Sequence, residues 1–502
     1  MSEYRQLSLG DFLSCAPAEI IPPPAFYFLS PSIPSINGVA LRAPYGLRKL
    51  EAALKIGYKP EDIVVAHPDY IQHFINSDTE IVGISTMDPF GLGPASMMFT
   101  LGGRWTAYSK KLFINLVKRI DDIRSIKGFK FKLVIGGSGA WQFEYNEDVI
   151  KELNIDNVIH GELDRVACNI FQKILDDSSP SIIHIHDFPS VDDIPTIINP
   201  SIHGIVEVMR GCGRNCEFCE PNLKRARYIP LEKILNEVRV NIRGGNDNVW
   251  VQSDDIFLYE LEDHKNFMPN SDAILELFTK IMAEHGVHQS NPTHGSIAPV
   301  VADPLLIKQL SVVLKSGPER FVGIQPGMET GSSKLIAKYM PRKALPFQPE
   351  EWGDVVFEAT KVFNENYWFP AYTLIMGFPE ETSDDIWDTV RLLDLLEREI
   401  PRIMGEKAHF IAVPLSFVPT GVLKDEAFYY VNNMLDEAKI CLLYRSWRHT
   451  VYEIGRLPKS IIKDPVLRLI FELTGRTALH LLKRFAIKKG YDVEKAMQVN
   501  YT

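Results

Sequence analysis

The chain has 502 residues, a formal net charge of −10 and a hydrophobic fraction of 45%. That length exceeds what one core usually supports, so two or three domains are expected, and the acidic balance argues against nonspecific nucleic-acid binding as the main task. No run of about 18 apolar residues occurs, so no membrane span is expected, and Met1-Ser2-Glu3-Tyr4-Arg5 builds no signal peptide.

A Pro-rich arm opens the chain, and residues 26–30 between its prolines are expected as a first buried strand. Helical spacing over 46–54 ends at Gly57. Short apolar runs at 63–66, 81–86, 132–135 and 157–160 are expected strands, with helices over 71–74, 110–126 and 149–153 between them. Alternation of this kind implies a parallel sheet with helices on both faces. In such sheets ligands sit beyond the carboxyl ends of the strands. Those ends carry Ser85-Thr86-Met87-Asp88-Pro89, Gly136-Gly137-Ser138-Gly139 and His160-Gly161-Glu162. Glycines there allow a large flat ligand close to the backbone.

Residues 178–200 are rich in proline and are expected to cross between domains. Six further strands are expected at 204–209, 248–253, 293–298, 321–325, 372–376 and 409–413, with helices over 231–240, 274–285, 303–314 and 352–364. Six βα units fit a partial barrel, whose chemistry belongs at the carboxyl ends of its strands. Beyond Gly421, residues 426–451, 459–474 and 477–489 are expected as helices. They close the barrel mouth or dock a partner. The basic residues Arg445, Arg448, Arg456 and Arg468 in this part suit a solvated face.

The first barrel strand runs into Arg210-Gly211-Cys212-Gly213-Arg214-Asn215-Cys216-Glu217-Phe218-Cys219, which holds three of the six cysteines. Thiolates are soft ligands suited to iron–sulfur clusters, and three on one loop grip three irons of a cubane. The remaining iron is then open to a substrate. A structural zinc site is the alternative, but it wants four closed ligands. Cys15, Cys168 and Cys441 are scattered, and His203 is the one histidine close by. Clustered cysteines without a disulfide framework indicate a reducing compartment, so a cytoplasmic, oxygen-sensitive protein is expected.

The C-x3-C-x2-C loop resembles the cluster loop of the radical S-adenosylmethionine (SAM) enzymes. Together with the glycine-bearing strand ends upstream, the chain resembles the cobalamin-dependent radical SAM methyltransferases over about 44–421. The resemblance implies an α/β fold divided into an arm (1–42), a doubly wound parallel-sheet cobalamin-binding domain (43–178), a linker (179–200), a partial (β/α)6 radical SAM barrel (201–424) and a C-terminal helical domain (425–502). Implied cofactors are a 4Fe–4S cluster on Cys212, Cys216 and Cys219, SAM, and methylcobalamin. No Asp-x-His-x-x-Gly occurs, so the resemblance implies cobalt without a histidine lower ligand.

Strand-end residues supply the implied SAM contacts: Phe218 for the adenine, Asp254, Asp255, Gln325 and Glu329 as oxygen acceptors, and Gly377 for close backbone approach. Thr382-Ser383-Asp384-Asp385 also has helix-capping character. Ser85, Thr86, Met87, Asp88, Gly136, Gly137, Ser138, Gly139, Gly161 and Glu162 are the implied cobalamin contacts, and His294, Tyr339 and Tyr372 the substrate-facing candidates. The implied reaction is methylation of an unactivated sp3 carbon, with the electron supplied by a ferredoxin or flavodoxin. Residues 43–49 and 85–89 look like archaeal members, which points to a glutamine Cα in the alpha subunit of methyl-coenzyme M reductase as acceptor. A lipid, a tetrapyrrole or another small molecule remains open. Open too are a radical SAM enzyme without cobalamin, such as a methylthiotransferase, and a noncatalytic metal-binding scaffold.

Overall fold

The computed structural model describes residues 13–186, 188–220, 224–432, 434–457 and 465–494. Residues 26–30 are not a strand. They belong to helix α1 (Pro23–Leu29), started by Pro22-Pro23-Pro24, because proline at the first helical positions has no N–H to lose and its φ is already set. A two-stranded hairpin, β1 (Ser35–Ile36) and β2 (Val39–Ala40), leads into α2 (Tyr45–Leu54). Residues 63–66 are extended but make only an isolated bridge, Val39 with Ala66, and stay outside any sheet. The expected helix at 71–74 is a 3-10 turn, Pro68–His73.

The first domain is a parallel sheet of β3 (Ile81–Ser85), β4 (Lys132–Gly136), β5 (Asn157–His160) and β6 (Ile182–His184), adjacent in chain order. Strand β6 falls inside the expected linker. Val82, Leu133, Ile135 and Val158 pack on one face against α4 (Tyr108–Lys127) and α5 (Glu147–Glu152), which follow the small α3 (Pro94–Phe99). Val134, Ile159 and Ile183 pack on the other face against α2 and α6 (Ala167–Leu175). Both faces are therefore covered, which is why the strands read as continuous apolar runs. Helix α4 stops at Gly128, whose φ of 65° is the left-handed cap that glycine adopts without strain.

Six strand positions make the second domain. β7 (Ile205–Glu207), β10 (Asn248–Gln252) and β11 (Gln289–Pro292) pair in parallel, as do β12 (His294–Gly295), β13 (Val322–Glu329), β14 (Trp368–Met376) and β15 (Ile411–Ser416). β11 and β12 are one strand interrupted at Thr293. Its N–H still donates to Val251 O at 3.0 Å and its carbonyl still accepts from Gln325 N at 3.0 Å, so the sheet continues. The antiparallel pair β8 (Met209–Arg210) and β9 (Arg227–Tyr228) projects from the end of β7. Outside the strands lie α7 (Leu231–Arg243), α8 (Ser271–Ala283), α9 (Ala298–Ala302), α10 (Pro304–Val313), α11 (Ser333–Tyr339), α12 (Trp352–Glu365) and α13 (Ser383–Met404). Thr382 and Asp385 form a capping box at the start of α13, the role their spacing suggested.

Helix α14 (Glu437–Arg456) lies on the last barrel unit, where Glu453 holds buried His409 at 2.8 Å and Arg448 meets Glu397 at 2.6 Å. Arg445 also pairs with Asp394, so these arginines anchor the helix rather than forming a free solvated face. Helix α15 (Pro465–Lys488) packs on α14; the expected start at 459 lies outside the described residues. No helix of the described residues is long and apolar enough to cross a membrane.

The two α/β domains are joined by buried charge. Glu237 of α7 takes Lys49 Nζ at 2.5 Å, Tyr45 Oη at 2.7 Å and Ile197 N at 3.1 Å, while Arg48 Nε donates to Pro200 O at 2.9 Å. Residues 43–49, which carried the likeness to archaeal members, thus serve the domain junction.

Candidate functional site

The cysteine loop leaves the barrel through Gly211, whose φ is 73° and where a Cβ would stand 2.6 Å from Lys224 O. Cys212 and Cys216 are buried and Cys219 is half-buried. The loop is held from both sides: Glu217 N donates to Tyr339 O at 2.9 Å, Val422 N to Glu217 O at 2.8 Å, and Thr420 Oγ1 to Phe218 O at 2.8 Å. Between the first two cysteines, Arg214 is buried. It donates to Asp255 at 3.2 Å, Ser296 Oγ at 2.9 Å and Arg342 O at 2.7 Å, and lies over the Phe267 ring. Burial pushes the Cys212 and Cys216 thiols up, with Asp255 adding to the effect at Cys212. Ligation must therefore displace protons, and the buried cations Arg214 and Lys343 offset part of the charge that results.

The predicted barrel-mouth residues divide into two groups. Asp254 is exposed just beyond the end of β10, and one carboxylate oxygen accepts the Gly211 N–H. Gln325 and His294 are register partners on β13 and β12, accessible from the barrel lumen, and burial pushes the His294 imidazole down. Phe218 meets Phe378 edge-on at 5.5 Å. These residues face the mouth.

The others are occupied. Asp255 is buried and accepts from Arg214 and from Ser296 N at 2.8 Å. Glu329 is buried at a φ of 60°, paired to Lys343 Nζ at 2.9 Å and Thr373 Oγ1 at 3.3 Å. A Cβ on Gly327 would stand 1.9 Å from the Glu329 carboxylate, so the glycine makes room for that side chain. Gly377 at φ 94° carries the Tyr429 ring, where a Cβ would meet it at 2.1 Å. Its N–H goes to Glu381, whose carboxyl burial raises to about 7. Tyr372 does not face a substrate: it is buried against α12 with its hydroxyl 2.7 Å from Thr360 Oγ1. Tyr339 is buried too, stacked on Phe378 and donating to Pro379 O. Sequence reasoning gave no role to Arg214, although it lies within the cysteine loop, nor to Lys343 and Thr373, which lie outside any strand-end motif.

At the edge of the first sheet the glycines have another reason than a ligand. A Cβ on Gly137, at φ 98°, would stand 2.5 Å from Thr86 O, and one on Gly139 would stand 2.5 Å from the Met87 carbonyl. One on Gly161 would stand 2.4 Å from Ile185 O. The strand-end loops pack on one another, with Thr86 N donating to Gly136 O and Gly139 N to Thr86 O. Asp88 is turned inward, accepting from Gly93 N, Ser96 Oγ, Ser109 Oγ and Gln142 Nε2. Ser85, Met87 and Ser138 are exposed at the ends of β3 and β4.

A cavity of about 580 Å³ opens between the ends of β5 and β6 and the segment after Cys219, and Ser85, Met87 and Ser138 do not line it. Of the predicted cobalamin contacts, Gly161 and Glu162 line it. Glu162 is a clasp: Arg227 reaches it at 2.8 and 3.0 Å and Arg210 at 2.8 Å. Burial alone would raise its pKa, but those ion pairs outweigh burial and hold it at about 2. The rest of the wall includes Trp141, Tyr145, Phe188 and a polar group of which the sequence singled out only His160. His160 Nδ1 is 2.6 Å from Glu144 Oε1, His184 Nδ1 is 3.6 Å from the same oxygen, and His160 Nε2 is 3.5 Å from Glu220. The hydrogen bond to Glu220 raises the His160 pKa, against the opposing effect of burial. Their grouping became legible only once β6 was placed beside β5.

Residues 206–393 match the family model of the Radical SAM superfamily. The barrel is a radical SAM domain. The tRNA-2-methylthio-N(6)-dimethylallyladenosine synthase of Leptothrix cholodnii is 21% identical over 385 residues, 73% of this chain and 76% of that protein. The synthase of the same name from Legionella pneumophila (strain Corby) is 23% identical over 380 residues, 72% of this chain and 77% of that protein. Among solved structures, the radical S-adenosylmethionine methyltransferase TsrM from Kitasatospora setae, with tryptophan substrate and the analogue aza-SAM bound, is similar with a TM-score of 0.52 at 13% identity. That likeness covers 80% of this chain and 73% of TsrM. A second TsrM structure, with cobalamin and its 4Fe–4S cluster, gives a TM-score of 0.50. At such identity the likeness is one of fold. It extends beyond the radical SAM domain, since 80% of the chain is more than residues 206–393.

Proposed function

We propose that the chain is a corrinoid-using radical SAM methyltransferase that transfers methyl to an sp3 carbon. The observation carrying this reading is the cavity between the carboxyl edge of the first sheet and the cysteine loop of the radical SAM domain. A flat macrocycle suits such a place. Trp141, Tyr145 and Phe188 offer apolar surface, and Glu144, His184 and His186 offer polar atoms. The cavity also lies next to Glu220, which follows Cys219 directly, so a group held there faces the cluster loop. The TsrM likeness, which spans both domains, supports the same arrangement.

In this reading Cys212, Cys216 and Cys219 hold three irons and leave the fourth for SAM. Asp254, oriented by the Gly211 N–H, accepts from the SAM ammonium or ribose. Gln325, His294 and Thr373 line the lumen beyond it, and Phe218 packs beside the adenine. When bound, the cluster and SAM supply hydrogen abstraction from carbon and the methylated corrinoid supplies the methyl group. The chain's own part is to hold both sites apart from water and within reach of one acceptor. A ferredoxin or flavodoxin serves as electron donor. Residues 43–49 serve the domain junction and name no acceptor, so a methyl-coenzyme M reductase glutamine peptide, a lipid and a tetrapyrrole are the arms of an acceptor screen.

The test is anaerobic reconstitution with iron, sulfide and hydroxocobalamin, followed by corrinoid and cluster quantification and by turnover with methyl-deuterated SAM. A cluster-loaded protein that retains stoichiometric corrinoid and passes label to carbon is expected. Full cluster loading with no corrinoid retained would overturn the reading. It would leave sulfur insertion, as in the methylthiolating synthases that share 21–23% identity with the chain.

A further inference from the structure

The cysteine loop can be approached from two sides, and the two are chemically unlike. On the side of the first domain lies the cavity described above, whose carboxylates are Glu144, Glu162 and Glu220. On the other side a second cavity of about 600 Å³ opens between the loop, the β8–β9 pair and the segment after β10. Cys212 and Gly213 form part of its wall, so a predicted cluster thiolate borders it directly. Lys224, Arg225, His264 and Arg342 line it as well, and no carboxylate does.

Such a concentration of positive charge is unexpected in a chain whose formal net charge is −10. Part of it is held in place. The Arg342 guanidinium lies 4.7 Å over the Phe267 ring, which carries Arg214 at 4.8 Å, and one Arg342 nitrogen donates to His264 O at 3.4 Å. Lys224 lies 3.5 Å from Glu162 of the first domain. Arg225 is exposed and has no ion pair among the described residues. The acidic neighbours of His264 do not offset this charge inside the cavity. Glu262 and Asp263 do not line it, and Asp263 accepts the backbone N–H groups of Lys265 and Asn266 at 3.1 and 3.0 Å.

We propose that this basic cavity is the docking surface of the electron donor, a small acidic electron-transfer protein whose carboxylates enter between Arg225, Arg342 and His264. The inference rests on the cluster of the reading above and not on its corrinoid. In that reading a flat macrocycle fills the approach from the first domain, and the carboxylates of that wall repel an acidic protein. The basic side remains, and there the electron enters at a ligand of the cluster. Opposite charge supplies orientation and fast encounter more than tight binding, which suits a donor that must leave after each electron. The step makes and breaks no bond. An anionic flavin hydroquinone passes one electron to the oxidised cluster and becomes the neutral semiquinone, or a reduced ferredoxin centre is oxidised by the same one electron.

Stopped-flow reduction of the reconstituted protein by flavodoxin hydroquinone, read as bleaching of the cluster absorption, tests the surface, with reduced ferredoxin run in parallel. The wild-type rate is expected to fall steeply as salt is added, because screening removes the steering. Arg225→Glu should slow the reduction by about tenfold at low salt and flatten its salt dependence. Reduction by the methyl viologen radical cation, which needs no docking surface, should not be slowed by that substitution. Arg484→Glu, the same charge change at an exposed position of α15, should leave the protein-donor rate unchanged. Equal slowing in Arg225→Glu and Arg484→Glu would trace the effect to net charge and overturn the proposal. A wild-type rate indifferent to salt with both protein donors would overturn it too, as would Arg225→Glu slowing the viologen reaction as much as theirs. Should Arg225→Glu not fold or not load its cluster, Arg225→Gln carries the same comparisons with a smaller expected slowing. If wild type loads no cluster, the broader reading fails and takes this one with it; a loaded cluster that viologen reduces, with no Arg225 effect for either protein donor, overturns this proposal alone.

Discussion

Glu162 lines the proposed corrinoid cavity, yet its carboxylate is engaged by Arg227 and Arg210 and lies within 3.5 Å of Lys224. It ties the end of β5 to the hairpin that frames the cysteine loop. The fall of its pKa from the ordinary 4.5 to about 2 corresponds to about 3 kcal/mol at full value, and partial solvent screening reduces this to about 1–2 kcal/mol. Because the folded pKa lies below the unfolded one, this stability is fully present above about pH 4.5 and is lost as pH falls toward 2. Glu162→Gln should therefore be less stable than wild type by about 1–2 kcal/mol at pH 7, and the gap should close as the pH is lowered through that window. Urea midpoints followed by tryptophan fluorescence from neutral to acid pH measure both. Equal midpoints at pH 7 would refute the clasp. Full stability with lost corrinoid would return Glu162 to the role the sequence suggested, a cofactor contact.

Replacing Cys212, Cys216 and Cys219 by Ala should remove the absorption near about 400 nm expected of thiolate-bound iron–sulfur clusters, whereas Cys15, Cys168 and Cys441 variants should keep it; a full cluster in the triple variant would sink the assignment. Lys49→Met strands Glu237, which is 2% exposed, and should cost about 3–5 kcal/mol in denaturant melts, with Lys49→Met/Glu237→Leu recovering most of it. Glu381 has a folded pKa of about 7 through burial, above its unfolded value, so wild type should lose stability as pH rises from about 4.5 to 7. Glu381→Gln should flatten that slope in the same melts, and an unchanged slope would contradict the burial argument.

The radical SAM domain was legible because most of its strands contain apolar runs and its cysteines lie close together in sequence. The third strand was expected too late, at 293–298, because its paired residues Gln289–Pro292 and His294–Gly295 form a polar stretch without an apolar run. The first sheet was harder. Strand β6 is short and lies between Pro180 and Pro189, so the local turn signal outweighed the apolar pair Ile182-Ile183. Residues 26–30 misled in the opposite direction, since their aromatic content favours a strand but the preceding prolines start a helix. Gly136-Gly137-Ser138-Gly139 was expected to let a large flat ligand approach the backbone. At Gly137 and Gly139 the group that approaches is the chain's own 86–89 loop, a contact that no linear pattern reveals. The polar group at Glu144, His160 and His184 comes from three separate elements, and only the sheet brings them together.

The curated relatives are methylthiolating synthases, so the choice between sulfur insertion and methyl transfer turns on what the first domain provides. A second iron–sulfur cluster in that domain would need several thiolates on one wall. The chain's remaining cysteines do not converge. Cys15 borders Ser96 and Asp88. Cys168 points its Sγ at Ala53 O, 3.5 Å away, on the helix face of the first sheet, and Cys441 lies in α14 against Asp492 O at 3.5 Å. The cavity that faces the cysteine loop is walled instead by imidazole, carboxylate and aromatic rings. Such donors suit a single borderline metal ion and a flat organic ring around it better than they suit a sulfide cluster. The site therefore differs chemically from a thiolate-walled one while sharing the barrel, which is how one fold accommodates separate group transfers.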